Sequence, residues 1–119
     1  MKIIKINNDL FKAHLSWFTK CTEDEYFNKL IEFGFTINKE ERSGSNGHCD
    51  TKIPYRAIWV NPKLKPAEYL RILNHEILHY CIAVMVTKGI PVNENNDEVI
   101  AYMQQHILEQ CMAINLKAK

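Results

Sequence analysis

The chain has 119 residues, a formal net charge of +1 and 46% hydrophobic residues, which fits one globular domain with a modest core. The small net charge does not indicate nucleic-acid binding. No apolar stretch of the chain reaches the roughly 20 residues of a membrane span. Lysines at the N-terminus precede no continuous apolar run, so we expect no secretory signal and a cytoplasmic location.

The N-terminal segment predicts a β-hairpin. Residues 2–6 read as a short strand, and Asn7-Asn8-Asp9 is a turn signal. Apolar and polar residues then alternate over 11–17, which predicts a second, half-buried strand. His14 falls on the polar face of that strand, so we interpret it as a solvated histidine.

A helix is predicted after the hairpin. Thr22 and Glu25 have the spacing of a capping box, and apolar residues follow at helical spacing from about 23 to 33. Gly34 is expected to end this helix by adopting the left-handed backbone conformation. Residues 35–37 are predicted to form a short strand.

The middle of the chain is polar. Residues 38–52 contain a Ser/Gly/Asn-rich centre and indicate either a mobile loop or a long hairpin arm. Cys49 lies in this stretch, as a free loop thiol or as part of a second metal site. Tyr55–Val60 then predicts a strand that ends at Asn61-Pro62.

Two long helices are predicted in the second half. Pro66 suits a first helical turn, and the apolar periodicity continues to Thr87, before Gly89 and Pro91. A last helix is expected from Asp97 to about 115. Cys81 and Cys111 fall inside these helical patterns and are interpreted as small core residues. Without a secretion signal, the even cysteine count does not indicate disulfides.

The segment His75-Glu76-Ile77-Leu78-His79 carries the strongest functional signal. Residues four apart share one helical face, so both imidazoles reach one ion, while Glu76 projects beside them. The same residues could instead be core histidines and a surface glutamate. Two imidazoles on the same stripe as Arg71 are costly to bury without partners, which favours a metal.

A hydrolytic zinc site usually has a third protein ligand. Glu98, in the first turn of the final helix, is the predicted one. Glu94 and Asp97 are rivals, but Asp97 is better explained as a helix cap.

The pair of motifs, His75-Glu76-Ile77-Leu78-His79 and Glu98-Val99-Ile100-Ala101-Tyr102, resembles the glutamate-zincin (gluzincin) type of zinc metallopeptidase. The whole chain is also similar to short zincin-like proteins encoded by bacteriophages. The resemblance implies an α+β, minimal zincin-like domain over 1–119. In it a small antiparallel or mixed sheet packs against an N-terminal helix, a central motif helix and a C-terminal helix that bears the glutamate.

Further roles follow from the resemblance. It implies one Zn²⁺ per chain, held by His75, His79 and Glu98, and it places the strand before the motif helix at the cleft. That strand is Tyr55–Val60, and the alternative is an interior strand with its aromatic residues in the core. By helical spacing, Tyr102 lies one turn after Glu98 on the same face and His106 one turn further. Either is therefore a candidate to donate to an oxyanion or to orient a ligand; otherwise Tyr102 packs and His106 is a surface histidine.

Two functions remain open from the sequence. The first is a zinc-dependent hydrolase, most simply a metallopeptidase acting on a peptide or protein, with Glu76 as general base on zinc-bound water. The alternative is a catalytically silent zinc-binding module that binds a host or phage protein. No nucleic-acid or membrane partner is expected.

Overall fold

The structure is a computed structural model that describes residues 1–117. In chain order its elements are β1 (Lys2–Ile6), β2 (Leu15–Thr19), α1 (Glu23–Glu32), α2 (Lys39–Arg42), β3 (Gly47–Lys52), β4 (Tyr55–Val60), α3 (Pro66–Thr87) and α4 (Asp97–Lys117). The predicted α+β class is confirmed.

The four strands form one mixed sheet in the order β1-β2-β4-β3. β1 pairs antiparallel with β2, β2 parallel with β4, and β4 antiparallel with β3. Strand β4 is therefore interior, and β3 is an edge strand. This corrects the expectation that Tyr55–Val60 borders the cleft, and it confirms the alternative of an interior strand. Trp59 is buried, whereas Tyr55 is 46% exposed.

Side chains of β4 alternate between the two faces of the sheet, as the period of a strand requires. Ala57 and Trp59 pack into a cluster with α1 residues such as Phe27. Ile58 and Val60 pack into the larger cluster, which contains apolar residues of α3 and α4. The sheet is thus the middle layer, with α1 on one face and the two long helices on the other.

The predicted pairing of the first two strands is confirmed, but β2 begins at Leu15 and not at residue 11. The Asn8 side-chain oxygen accepts hydrogen bonds from the N–H groups of Leu10 and Phe11. Lys12 adopts a left-handed φ of 51°. These contacts hold the segment as a turn, which the alternation of apolar and polar residues does not reveal.

The capping box of α1 is confirmed, since the Thr22 side chain accepts from the Glu25 N–H and the Glu25 side chain accepts from the Thr22 N–H. The predicted strand at residues 35–37 is wrong, because that segment has no strand pairing and Phe35 instead packs into the α1 cluster.

Inside the polar stretch 38–52, the hairpin-arm alternative is confirmed, and Cys49 lies on β3 instead of in a loop.

Both long helices are confirmed, with Pro66 in the first turn of α3 and Gly89 at a φ of 72° just beyond it. Asp97 is the first residue of α4, so it lies inside the first turn and not at the cap. A carboxylate there still interacts favourably with the helix dipole. Cys81 and Cys111 are fully buried, as predicted. Over residues 1–117, no helix has the length and apolar character needed to cross a membrane.

Candidate metal centre

His75 and His79 lie on the exposed side of α3, with their Nε2 atoms 3.1 Å apart. The ring centroids are 4.8 Å apart, at an interplanar angle of 78°. Two imidazole nitrogens on one tetrahedral zinc, each at about 2.0–2.1 Å, would be roughly 3.3 Å apart. The helix therefore presents this pair at nearly the spacing that one zinc ion requires.

Glu76 lies on the inner side of the pair and is only 7% exposed. It sits against edge strand β3. A Cβ atom added to Gly47 would lie 2.9 Å from Glu76 Oε2 and 2.6 Å from Ile72 Cγ2. Gly47 therefore gives the glutamate its room, because any side chain there would displace both neighbours. This role of Gly47 was not predicted from the sequence, although a glycine inside a strand often marks a close approach.

The surroundings of Glu76 change its acidity. Burial raises the pKa of Glu76, and the nearby histidines His79, His75 and His48 act in the opposite direction. A carboxylate with a raised pKa is a better match for accepting a proton near neutral pH than an exposed one.

Cys49 lies on the same face of β3 as Gly47 and beside Glu76. Burial, together with the charges of Glu76 and Asp50, raises the pKa of Cys49 to about 12. The thiol is therefore protonated at neutral pH, which agrees with the free-thiol interpretation of Cys49.

A groove of about 400 Å³ runs beside the histidine pair. The groove is lined by Arg71, Ile72, Asn74, His75, Leu78 and Gln104. Gln104 of α4 donates to the Asn74 side-chain oxygen at 3.0 Å, which ties α4 to α3 beside the groove. A ligand in this groove would contact His75 directly.

The predicted third ligand is not brought to the pair. Glu98 is exposed and lies about 180° around α4 from the fully buried Ile107. Within residues 1–117, no three His, Cys, Asp or Glu side chains are grouped as a metal site. The structure thus assembles two of the three predicted ligands, and Glu98 stays a prediction.

The two auxiliary candidates have different surroundings. Tyr102 is 61% exposed. His106 Nε2 is 3.2 Å from the Asp9 carboxylate and 3.3 Å from Gln110 Nε2. The contact with Asp9 joins His106 to the connection between β1 and β2. A role for either residue at the metal stays a prediction.

The opposite face of β3 carries a polar network that was not predicted from the sequence. The Arg42 guanidinium donates to both carboxylate oxygens of Asp50, at 2.7 and 3.0 Å, and the Tyr26 hydroxyl donates to the same carboxylate at 2.8 Å. Arg42 also contacts His48 Nδ1 at 3.2 Å, and His48 Nε2 is 2.7 Å from Glu23. Because a guanidinium only donates, Nδ1 accepts and Nε2 donates to Glu23.

The same network fixes the position of β3. The His48 ring is buried and stacks on Trp59 at 5.7 Å and on Tyr26 at 6.0 Å between centroids. Burial opposes ionisation of Glu23, but hydrogen bonds from two backbone N–H groups and from His48 hold its pKa below the ordinary value. These contacts therefore fix edge strand β3 from the face that carries His48 and Asp50. The opposite face, which carries Gly47, is turned toward Glu76.

In comparisons with known proteins, the sequence matches no family model, no curated protein and no solved structure.

Proposed function

We propose that the protein is a zinc-dependent hydrolase of minimal zincin-like architecture, acting as a peptidase. His75 and His79 hold the ion with Glu98 as third ligand, and Glu76 is the general base. The observation that carries the proposal is the pair of Nε2 atoms 3.1 Å apart on one helical face, beside a glutamate that is 7% exposed.

When bound, zinc supplies a Lewis acid that acidifies water and polarises a carbonyl group. Glu76 accepts a proton at a carboxylate oxygen and later passes it to the leaving amine. Gly47 packs against the carboxylate and limits its movement. Within residues 1–117, edge strand β3 has one unpaired side, along which an extended peptide can add by main-chain hydrogen bonds.

The first test is zinc content. Protein purified without added metal is expected to contain one zinc per chain, and a chelator is expected to lower its melting temperature, because an ion that binds the native state stabilises it. The His75→Ala variant should lose the zinc. His14→Ala, which removes an exposed histidine outside the site, is the matched control and should keep it.

The same samples test hydrolysis. An unstructured protein substrate should be cleaved by the zinc-loaded protein, and cleavage should stop when the chelator is added.

For the zinc-content test, less than about a tenth of an equivalent of zinc, with no uptake on titration, would contradict the metal site.

The third ligand has its own prediction. Glu98→Ala is expected to weaken zinc binding sharply, whereas Asp97→Ala should cost only about 0.3–1 kcal/mol of helix stability through the lost dipole interaction. Both residues lie in the first turn of α4, so the two variants are matched in charge and position. Zinc affinity measured by competition with a chelator separates them, and the reverse order of effects would show that the assignment of Glu98 is wrong.

A second candidate is a catalytically silent zinc-binding module for a host or phage protein. The side of β3 that pairs with no described strand supports this candidate as well as the hydrolase, since a partner strand could add there without any reaction. A partner interaction lost in Glu76→Gln, in a protein that cleaves no substrate, would support this candidate over the hydrolase.

A further inference from the structure

The main-chain groups of edge strand β3 alternate between β4 and the side that pairs with no strand of residues 1–117. Beside the start of β3, the Asn61 N–H donates to the Asn46 carbonyl oxygen at 2.9 Å, and the pairing of β3 with β4 continues this register without a break. In an antiparallel ladder, only every second residue of a strand hydrogen-bonds to its neighbour. Counting from Asn46, the residues of β3 that turn their N–H and C=O groups outward are therefore Gly47, Cys49 and Thr51.

The Ser45 side chain occupies the first of these outward positions. Its hydroxyl donates to the Gly47 carbonyl oxygen at 2.9 Å and accepts from the Gly47 N–H at 3.4 Å. Both groups of Gly47 thus point to the open side, in agreement with the alternation that starts at Asn46. An added strand would need these same two groups, because the residues of a hydrogen-bonded pair exchange both of their N–H···O bonds.

The occupied position is the one beside Glu76. A Cβ atom added to Gly47 would lie 2.9 Å from Glu76 Oε2. Since neighbouring strands are about 4.8 Å apart, a peptide paired with Gly47 would bring its main chain close to this carboxylate. While Ser45 holds Gly47, an extended peptide can pair with Cys49 and Thr51 but not with the residue that lies next to Glu76.

The loop that carries Ser45 is anchored to α1. The Glu23 carboxylate accepts hydrogen bonds from the N–H groups of Gly44 and Ser45, at 2.8 and 3.1 Å. His48 Nε2 lies 2.7 Å from the same carboxylate, and the Glu23 side chain is only 19% exposed. Hydrogen bonds to a carboxylate are among the stronger ones in proteins, so the loop is held next to β3. The Ser45 side chain itself is exposed and can rotate away from Gly47 while the loop stays in place.

We propose that the Ser45 hydroxyl is an autoinhibitory contact, which an extended peptide must displace before it can pair with Gly47 beside Glu76. The inference rests on the proposed function, because it concerns how a substrate strand reaches the general base. A hydroxyl both donates and accepts, so it can take the place of the two main-chain groups of a partner strand.

The contact has a consequence for selectivity. An uncovered strand edge pairs with extended chains of many sequences. Displacing Ser45 costs each of these chains the net contribution of about one hydrogen bond, since the freed hydroxyl then bonds to water. A substrate with further contacts at the histidine pair overcomes this cost, whereas a peptide that offers only its main chain binds more weakly.

The test measures peptide binding, which does not require hydrolysis. The probe is a mixture of short random peptides, because main-chain hydrogen bonds do not depend on the side chains. It is titrated into ¹⁵N-labelled Glu76→Gln protein, so that little peptide is consumed. Adding Ser45→Ala should strengthen binding by about threefold to tenfold, the scale of one net hydrogen bond. The amide signals of Gly47, Cys49 and Thr51 should shift as the peptides bind.

Two control variants share the Glu76→Gln background. Ser43→Ala removes a neighbouring hydroxyl, which donates to the Lys39 carbonyl oxygen and not to β3, and should leave peptide binding unchanged. Ser45→Thr keeps a hydroxyl at the contact, so it should bind peptides as weakly as the protein that retains Ser45.

Equal binding with and without the Ser45 hydroxyl would overturn the proposal, and this includes no binding in either protein. Amide shifts confined to residues outside 47–51 would overturn it too. Neither result touches the proposed hydrolase, whose zinc content and cleavage are measured separately. Conversely, tighter peptide binding in Ser45→Ala, in a protein whose zinc-loaded parent cleaves no substrate, would uphold the contact while the hydrolase proposal fails.

Discussion

Glu76→Gln is expected to retain zinc and the fold while hydrolysis falls by a factor of about 10² or more, the usual scale for a general base. Glutamine keeps the size and shape of the side chain but removes the negative charge and most of the basicity. The space beside Gly47 is fitted to a side chain of this size, so the exchange should leave β3 in place. Zinc stoichiometry, melting temperature and turnover are measured on the same samples.

Two controls separate catalysis from structure. Glu68→Gln makes the same chemical change at an exposed position in the first turn of α3 and should leave turnover unchanged. His75→Ala should lose metal and activity together. If Glu76→Gln turns over like the parent, Glu76 is not the base and the proposed mechanism fails.

The acidity of Glu76 adds a readout that needs no substrate. Burial raises its pKa above the ordinary value of 4.5, so the folded protein holds this proton more tightly than the unfolded chain. The resulting contribution to stability is present below pH 4.5 and is lost as the pH rises through the folded-state pKa. In metal-free protein, Glu76→Gln should remove this part of the pH dependence of the melting temperature.

Elements with a local signal were predictable from the sequence. The capping box at Thr22, the apolar run of β4 and the long periodicity from Pro66 to Thr87 each depend on neighbouring residues, and all three are confirmed. The strand order was not predictable in this way. β4 reads as a strand equally well at an edge or in the interior, and only the parallel pairing with β2 decides it.

In the candidate site, too, local features were predictable from the sequence and contacts between distant residues were not. The spacing of His75 and His79 is local to one helix, and the structure places their Nε2 atoms 3.1 Å apart. Gly47 is 29 residues from Glu76 by their positions in the sequence, so their contact depends on how β3 packs against α3. Glu98 depends on the rotation of α4 about its own axis, which the residues between the two helices do not specify.

The second large effect is expected on stability, from the polar network around Asp50 on the face of β3 opposite Gly47. Asp50→Ala is expected to lower the free energy of unfolding by about 3 kcal/mol, the lower end of the range for breaking a buried ion pair. The lower end applies because the Arg42 side chain is 31% exposed, although that of Asp50 is only 10% exposed. Chemical denaturation measures the change.

Asp24→Ala is the matched control. Asp24 also pairs with a cation, Lys39, at 2.9 Å, but its side chain is 70% exposed. An exposed pair of this kind contributes little to stability, because solvent screens the two charges. Equal losses in the two variants would show that the Asp50 network contributes no more than a surface ion pair.

The reason for the larger loss at Asp50 is what its removal leaves behind. The buried Tyr26 hydroxyl loses its acceptor and Arg42 loses two charge-assisted hydrogen bonds, and unpaired polar groups in a core carry their full desolvation cost. Asp50→Asn should cost less, because its amide oxygen still accepts from Tyr26. Both variants loosen β3 on the side opposite Gly47, so zinc affinity, which depends on α3 alone for its two histidines, should change far less than stability.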